Sequence, residues 1–311
     1  MRVYAKDILR DLRELQGPHR LHVILTDWID LSQRTMASLP AHLKAAQSGE
    51  LHRDDEETAR AFERARERHG DRMQQVFGRA LGRLIAEAEM HQDAPEDLLG
   101  PIYMEVSADG FLGQYFTPPH LCEAMARMTI TDGERMVHDR VKSALMSDPL
   151  GQALVLAGAI LDDPEAAREH FFRRLLPVAA LHLDPITLCD PCCGSGATLL
   201  AGLAQFPAWA RHLGFVQMFG QDIDGHCVSM AKLQSSLYLC RGSVASPESV
   251  RAYADLALGS SPTHREPDVE ATSVGGATSG DGLAGPSVTL SAPAPAPTRY
   301  EAVRQLVLFG S

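Results

Sequence analysis

The sequence predicts an α/β protein: a parallel sheet with crossover helices, carried behind a helical N-terminal region. Three observations predict it. Apolar residues recur at three- and four-residue spacing through the first hundred positions. Two short apolar runs, ITLC (186–189) and FVQMFGQDI (215–223), are each followed by a helical pattern. Between the first run and its helix stands an acid followed by a Gly-Ser-Gly turn, in LCDPCCGSGATLL (188–200).

Taken in order, LHVILTDWIDLSQRTMASL has helical periodicity, and HRDDEETARAFERARERHGDR (52–72) reads as an exposed helix with an acidic first turn. Arg60, Arg64, Arg68 and Arg72 share one stripe of it, with Glu63 and Glu67 beside them. A solvated face with internal ion pairs is preferred over a DNA-backbone contact. MQQVFGRALGRLIAEAEM continues the helical pattern, and RMVHDRVKSALM and EAAREHFFRRLLPVAALHL are the clearest helices of 131–180. The two strand-helix units follow, with ATLLAGLAQF and HCVSMAKLQSSLYL as the helices. From 259 the composition shifts to Gly, Ser, Ala, Thr and Pro, which reads as a disordered linker over 259–298. The 299–311 stretch is apolar again. The expected organisation is a helical region over 1–95, a domain over 96–258, the linker, and a terminal peptide.

Composition limits the functions. The chain has 311 residues, 45% hydrophobic and 22% charged, so a packed core is expected. No apolar run reaches membrane-spanning length and the first residues are charged, so no membrane partner and a cytoplasmic location are expected. The net charge of −11 disfavours nucleic-acid binding by bulk charge; DNA binding would need a local basic face or a partner. Of six cysteines, Cys189 and Cys192 form a lone C-x-x-C. Small buried residues around a turn are the preferred reading over a zinc or redox pair, and no metal is expected.

The glycine turn carries the chemistry. In an open parallel sheet, ligands bind beyond the carboxyl ends of the strands, and glycines there let a ligand approach the backbone. Leu199 stands where a dinucleotide fingerprint needs its third glycine, and no P-loop lysine follows, so phosphate is not the expected guest. Asp190 before the turn suits a cationic or hydroxyl-bearing ligand. Asp222, expected at the end of the second strand, suits the two hydroxyls of a ribose. Together they point to an adenosyl ligand with an amino-acid end, as in S-adenosylmethionine.

DPCCGSG resembles the first motif of N6-adenine DNA methyltransferases, especially the modification subunit of type I restriction systems. EDLLGPIYM (96–104) resembles that family's lead-in, and GQYFTPPHLCEAMARM (113–128) its Gly-x-aromatic-aromatic-Thr-Pro stretch. FGQDIDGHCVSMAKLQSSLYL resembles the second motif, with Asp222 where Glu is usual. The resemblance implies a Rossmann-like class I methyltransferase fold and S-adenosylmethionine as cofactor. It places Phe116, Thr117 and Pro118 along the methionine and adenosine side, Asp190, Pro191, Gly194, Ser195 and Gly196 around the methionine end, and Asp222 on the ribose. Thr117-Pro118-Pro119 also reads as a helix cap with prolines opening the first turn.

One departure separates the chain from the family. The Asn/Asp/Ser-Pro-Pro-aromatic tetrapeptide that holds a flipped adenine is not found; the one Pro-Pro, Pro118-Pro119, precedes His120. The 89 residues after Asp222 hardly fit a full seven-stranded sheet, so a truncated fold is expected and no catalytic residue is assigned.

At the end of the chain, Gln305, Leu306, Leu308 and Phe309 resemble the peptide by which bacterial replication and repair proteins bind the sliding clamp. An amphipathic last helix or a final strand is the competing reading. Two functions follow. One is N6-adenine DNA methylation, incomplete or dependent on a specificity or methyltransferase partner subunit. The other is an inactive methyltransferase-like scaffold that binds a clamp or such a partner.

Overall fold

The computed structural model describes residues 2–17, 19–107, 115–238 and 245–258. The 259–298 linker and the 299–311 peptide, with Gln305, Leu306, Leu308 and Phe309, lie outside the described residues.

Helices α1 (Val3–Arg13), α2 (Leu21–Gln47), α3 (Glu56–His69) and α4 (Met73–Met90) form the N-terminal layer. Helices α5 (Gly100–Ser107), α6 (Pro119–Thr129), α7 (Gly133–Met146), α8 (Pro149–Gly158), α9 (Pro164–His170) and α10 (Leu176–Ala179) follow. The expected 165–183 helix is interrupted by a π turn over Phe171–Leu175, just before Pro177 in the first turn of α10. Then come β1 (Ile186–Asp190), α11 (Ala197–Leu203), α12 (Ala208–His212), β2 (Val216–Gly220), α13 (Gly225–Leu237) and α14 (Pro247–Leu258). The described chain is therefore mostly helical, and its two strands pair in parallel from Ile186 opposite Val216 to Asp190 opposite Gly220. No described helix is long and apolar enough to cross a membrane.

Asp222 does not end β2, as the sequence suggests; it lies two residues beyond Gly220. The last rung of the ladder is Gln221 N–H to the Asp190 carbonyl (3.0 Å); beyond it the Asp222 carboxylate gathers backbone N–H groups of a turn, which ends the strand. Thr117 is not the cap of α6. Pro118 holds that position with no side-chain cap, and Pro119 opens the helix.

The amphipathic stripes of α1, α2 and α4 meet in one core with Ile8, Leu9, Ile24, Leu25, Trp28 and Leu84, all fully buried. Trp28 donates its indole N–H to the Phe77 carbonyl at 3.1 Å. Asp11, buried among these helices, is neutralised by Arg79 (3.2 Å) and Arg83 (2.7 Å). The same core continues across residue 95 into Leu98, Leu99 and Tyr103 and the inner face of α13. Tyr4 donates to the Leu98 carbonyl and Tyr238 to the Glu96 carbonyl, both at 2.9 Å, tying the 96–99 segment to α1 and α13. Of the expected arginine stripe, Arg60 pairs with Glu56 inside α3 and Arg68 with Asp27 of α2, whereas Arg72 lies beyond the end of α3, corrects the stripe, and pairs with Glu14.

A second cluster joins α7, α10 and α14 to Ile186 and Val216 at the start of the sheet. One sheet face carries Leu188 and Met218, which pack on Leu199 of α11. The opposite face carries Thr187, Cys189 and Phe219, all exposed. The ladder turns the backbone groups of Ile186, Leu188 and Asp190 toward β2 and those of Thr187 and Cys189 away from it. Among the described residues no third strand pairs with either outer edge.

Candidate functional site

The site is built where both strands end. Asp190 accepts the Cys192 N–H at 2.9 Å and so starts the turn. Cys193 N–H donates to the Gln221 carbonyl (2.9 Å), stitching this turn to the one after β2. Gly194 N–H donates to Asp222 Oδ2 at 2.8 Å, and Asp224 N–H to Asp222 Oδ1 at 2.9 Å. Asp224 in turn caps α13 by accepting the His226 N–H at 2.9 Å.

Two glycines are needed for their backbone. Gly194 (φ +52°) and Gly196 (φ +96°) both occupy left-handed conformations. A Cβ on Gly194 would stand 3.0 Å from the Phe116 ring, so its bareness admits that ring. A Cβ on Gly196 would stand 3.2 Å from the Ala231 Cβ, so this glycine lets α11 pack on α13 rather than a ligand on the backbone. Gly196→Ala should therefore cost about 1–3 kcal/mol of stability, from strain at positive φ and overpacking, read as a lower urea midpoint.

Between the two turns lies a cleft of about 220 Å³. It brings together five of the nine expected cofactor residues: Phe116, Thr117, Gly194, Ser195 and Asp222. Pro118, Asp190, Pro191 and Gly196 do not line it. Asp190 spends one carboxylate oxygen on the turn and acts on the cleft through charge. The Cys193 thiol is pushed up first by burial, then by Asp222 and Asp190. Among the described residues no lysine or arginine lines the cleft, so the charge they give it is one-sided and negative. Tyr103 backs it, its ring 5.8 Å from that of Phe116, with burial raising its phenol to about 12.

The sequence reading missed a buried node that holds the turn. Ser195 is 1% exposed, and its hydroxyl donates to Asp97 Oδ2 at 2.6 Å. Gln234, fully buried on α13, donates through Nε2 to Asp97 Oδ1 (2.9 Å) and to the Ser195 carbonyl (2.7 Å). Its Oε1 accepts the N–H groups of Leu98 (2.6 Å) and Leu99 (3.2 Å). Gly100 completes the node with an N–H to Asp97 at 2.8 Å; a Cβ there would fall 2.1 Å from that carboxylate. The signal was present: Gln234 is a polar residue among Met230, Leu233 and Leu237 on the stripe of its helix that faces the core.

The cysteines divide. Cys122, Cys193 and Cys227 are buried, as the bland reading expects, with burial pushing Cys227 up to about 12. Cys189 and Cys192 are exposed, which corrects that reading for the C-x-x-C pair; the strand face under Cys189 is uncovered, and Cys192 sits on the cleft wall.

Compared with protein-family models, with curated proteins and with solved structures, the chain finds no match.

Proposed function

We propose that the chain binds S-adenosylmethionine and serves as the cofactor-binding part of an adenine-directed DNA methyltransferase, on a truncated Rossmann-like class I fold. The observation that carries this reading is the cleft itself. It lies at the carboxyl ends of two parallel strands, has Gly194 in its wall, and presents carboxylate charge with no side-chain cation among the described residues. Such a cleft repels a phosphate and suits a sulfonium with an ammonium group. In this reading Asp222 takes the ribose hydroxyls with the lone pairs its two backbone bonds leave free, the Gly194–Ser195 backbone meets the methionine end, and Phe116 covers the purine side. At about 220 Å³ the described cleft is smaller than the common ligand range of about 300–1,000 Å³, so the ligand would extend past its mouth at Tyr115 and Ile223.

The missing tetrapeptide favours a second reading, a methyltransferase-like scaffold. In the methyltransferase reading a partner subunit would supply much of the DNA contact, as the net charge of −11 favours. The sliding-clamp peptide Gln305–Phe309 rests on sequence alone and belongs with the scaffold. Methyl transfer from labelled S-adenosylmethionine to unmethylated DNA, with and without candidate partners, separates the two.

Cofactor binding has a site-specific readout. Cys192 lines the cleft and Cys189 does not, while both are exposed. Saturating S-adenosylmethionine should slow alkylation of Cys192 severalfold and leave Cys189 unchanged, as read by peptide mass spectrometry. Equal rates at Cys192 with and without the cofactor count against the reading.

A further inference from the structure

We propose that His42, His52 and Asp54 form a binding site for one divalent transition cation of the zinc class. The site is separate from the cleft and does not rest on the methyltransferase reading. His42 lies in the last turns of α2, past Pro40. The chain then reverses at Gly49 (φ +73°), with Glu50 N–H donating to the Ala45 carbonyl at 2.8 Å. Beyond the reversal, His52 and Asp54 stand two residues apart on the returning segment. Asp55 follows immediately and caps α3, holding the Thr58 N–H at 2.8 Å. Both sides of the reversal are thus pinned, one by a backbone bond and the other by a side-chain cap, which pre-positions the three side chains.

One donor atom of each residue lies within 4.8 Å of the other two. His42 Nε2 is 2.9 Å from Asp54 Oδ1, and the His42 and His52 rings meet edge-on with centroids 4.8 Å apart. A tetrahedral ion with bonds of about 2.0–2.1 Å holds its donors about 3.3 Å apart, so small rotations of the half-buried His42 and Asp54 and the exposed His52 close the set. A His42–Asp54 ion pair explains two of the residues but not the second imidazole. Two imidazoles and a carboxylate suit zinc, cobalt, nickel or copper, whereas magnesium and calcium take oxygen donors. Three protein ligands leave the fourth position to water, and the bound ion would clip α2 to the start of α3.

The test uses the full, tag-free chain stripped with chelator, titrated with Zn²⁺ by calorimetry and with Co²⁺ by visible absorption. The exposed Cys189 and Cys192 are the rival ligands, so the Cys189→Ser/Cys192→Ser variant runs beside His52→Ala and Asp54→Asn, with far-ultraviolet circular dichroism confirming that each is folded. One equivalent is expected to bind the native chain and the double-serine variant alike, with no thiolate band in the cobalt spectrum. His52→Ala should weaken binding by more than about 10–100-fold. Absence of saturable binding, unchanged binding by His52→Ala, or loss in the double-serine variant overturns the proposal.

Discussion

Gln234→Leu is expected to lower the free energy of unfolding by about 3–4 kcal/mol, the largest stability loss of any single exchange at the site. The native side chain satisfies both its donors and both its acceptor positions inside the protein. Leucine removes all four bonds and leaves the N–H groups of Leu98 and Leu99, the Ser195 carbonyl and one Asp97 oxygen without that partner. Each buried orphan costs about 1–3 kcal/mol, and local relaxation recovers part of the sum. Ser195→Ala removes one bond of the same node and should cost about 1 kcal/mol. Urea unfolding followed by circular dichroism measures both. A Gln234→Leu midpoint within error of the native one would show that the node does not hold the turn.

Asp222→Ala is expected to weaken S-adenosylmethionine binding about 100-fold, provided the cofactor reading holds. Two effects add. The ribose hydroxyls lose a charged acceptor, and hydrogen bonds to charged groups contribute about 1.5–3 kcal/mol each. The N–H groups of Gly194 and Asp224 also lose the carboxylate that fixes the glycine turn. Asp222→Asn retains one acceptor oxygen and should fall between the two. Calorimetry on the three proteins decides the matter: no binding by the native chain defeats the cofactor reading, and equal affinity in Asp222→Ala removes Asp222 from it.

Much of this was legible in the sequence, for definable reasons. The N-terminal helices follow from apolar spacing, and the strand-turn-helix at 186–203 follows from a short apolar run meeting two glycines. The role of Gly196 was not legible, because a glycine that admits a ligand and one that admits a helix look alike until Ala231 is seen 3.2 Å away. Asp190 and Asp222 were read as a matched pair of ligand groups. Both are turn-builders first, and only Asp222 reaches the cleft. Nor did periodicity reveal that Asp97, Ser195 and Gln234 converge, since their positions span well over a hundred residues. The His42, His52 and Asp54 grouping escaped for the same reason on a smaller scale: a chain reversal, not a motif, brings them together.

The β1 flank of the two-stranded sheet gives the molecule an open border among its described residues. Along Thr187 and Cys189, both exposed, peptide groups point outward in the rhythm of a ladder with no rung attached on that side among the described residues, whereas the β2 flank begins in the buried Val216. An extended segment laid along the Thr187–Cys189 border would find its register dictated by those outward peptide groups.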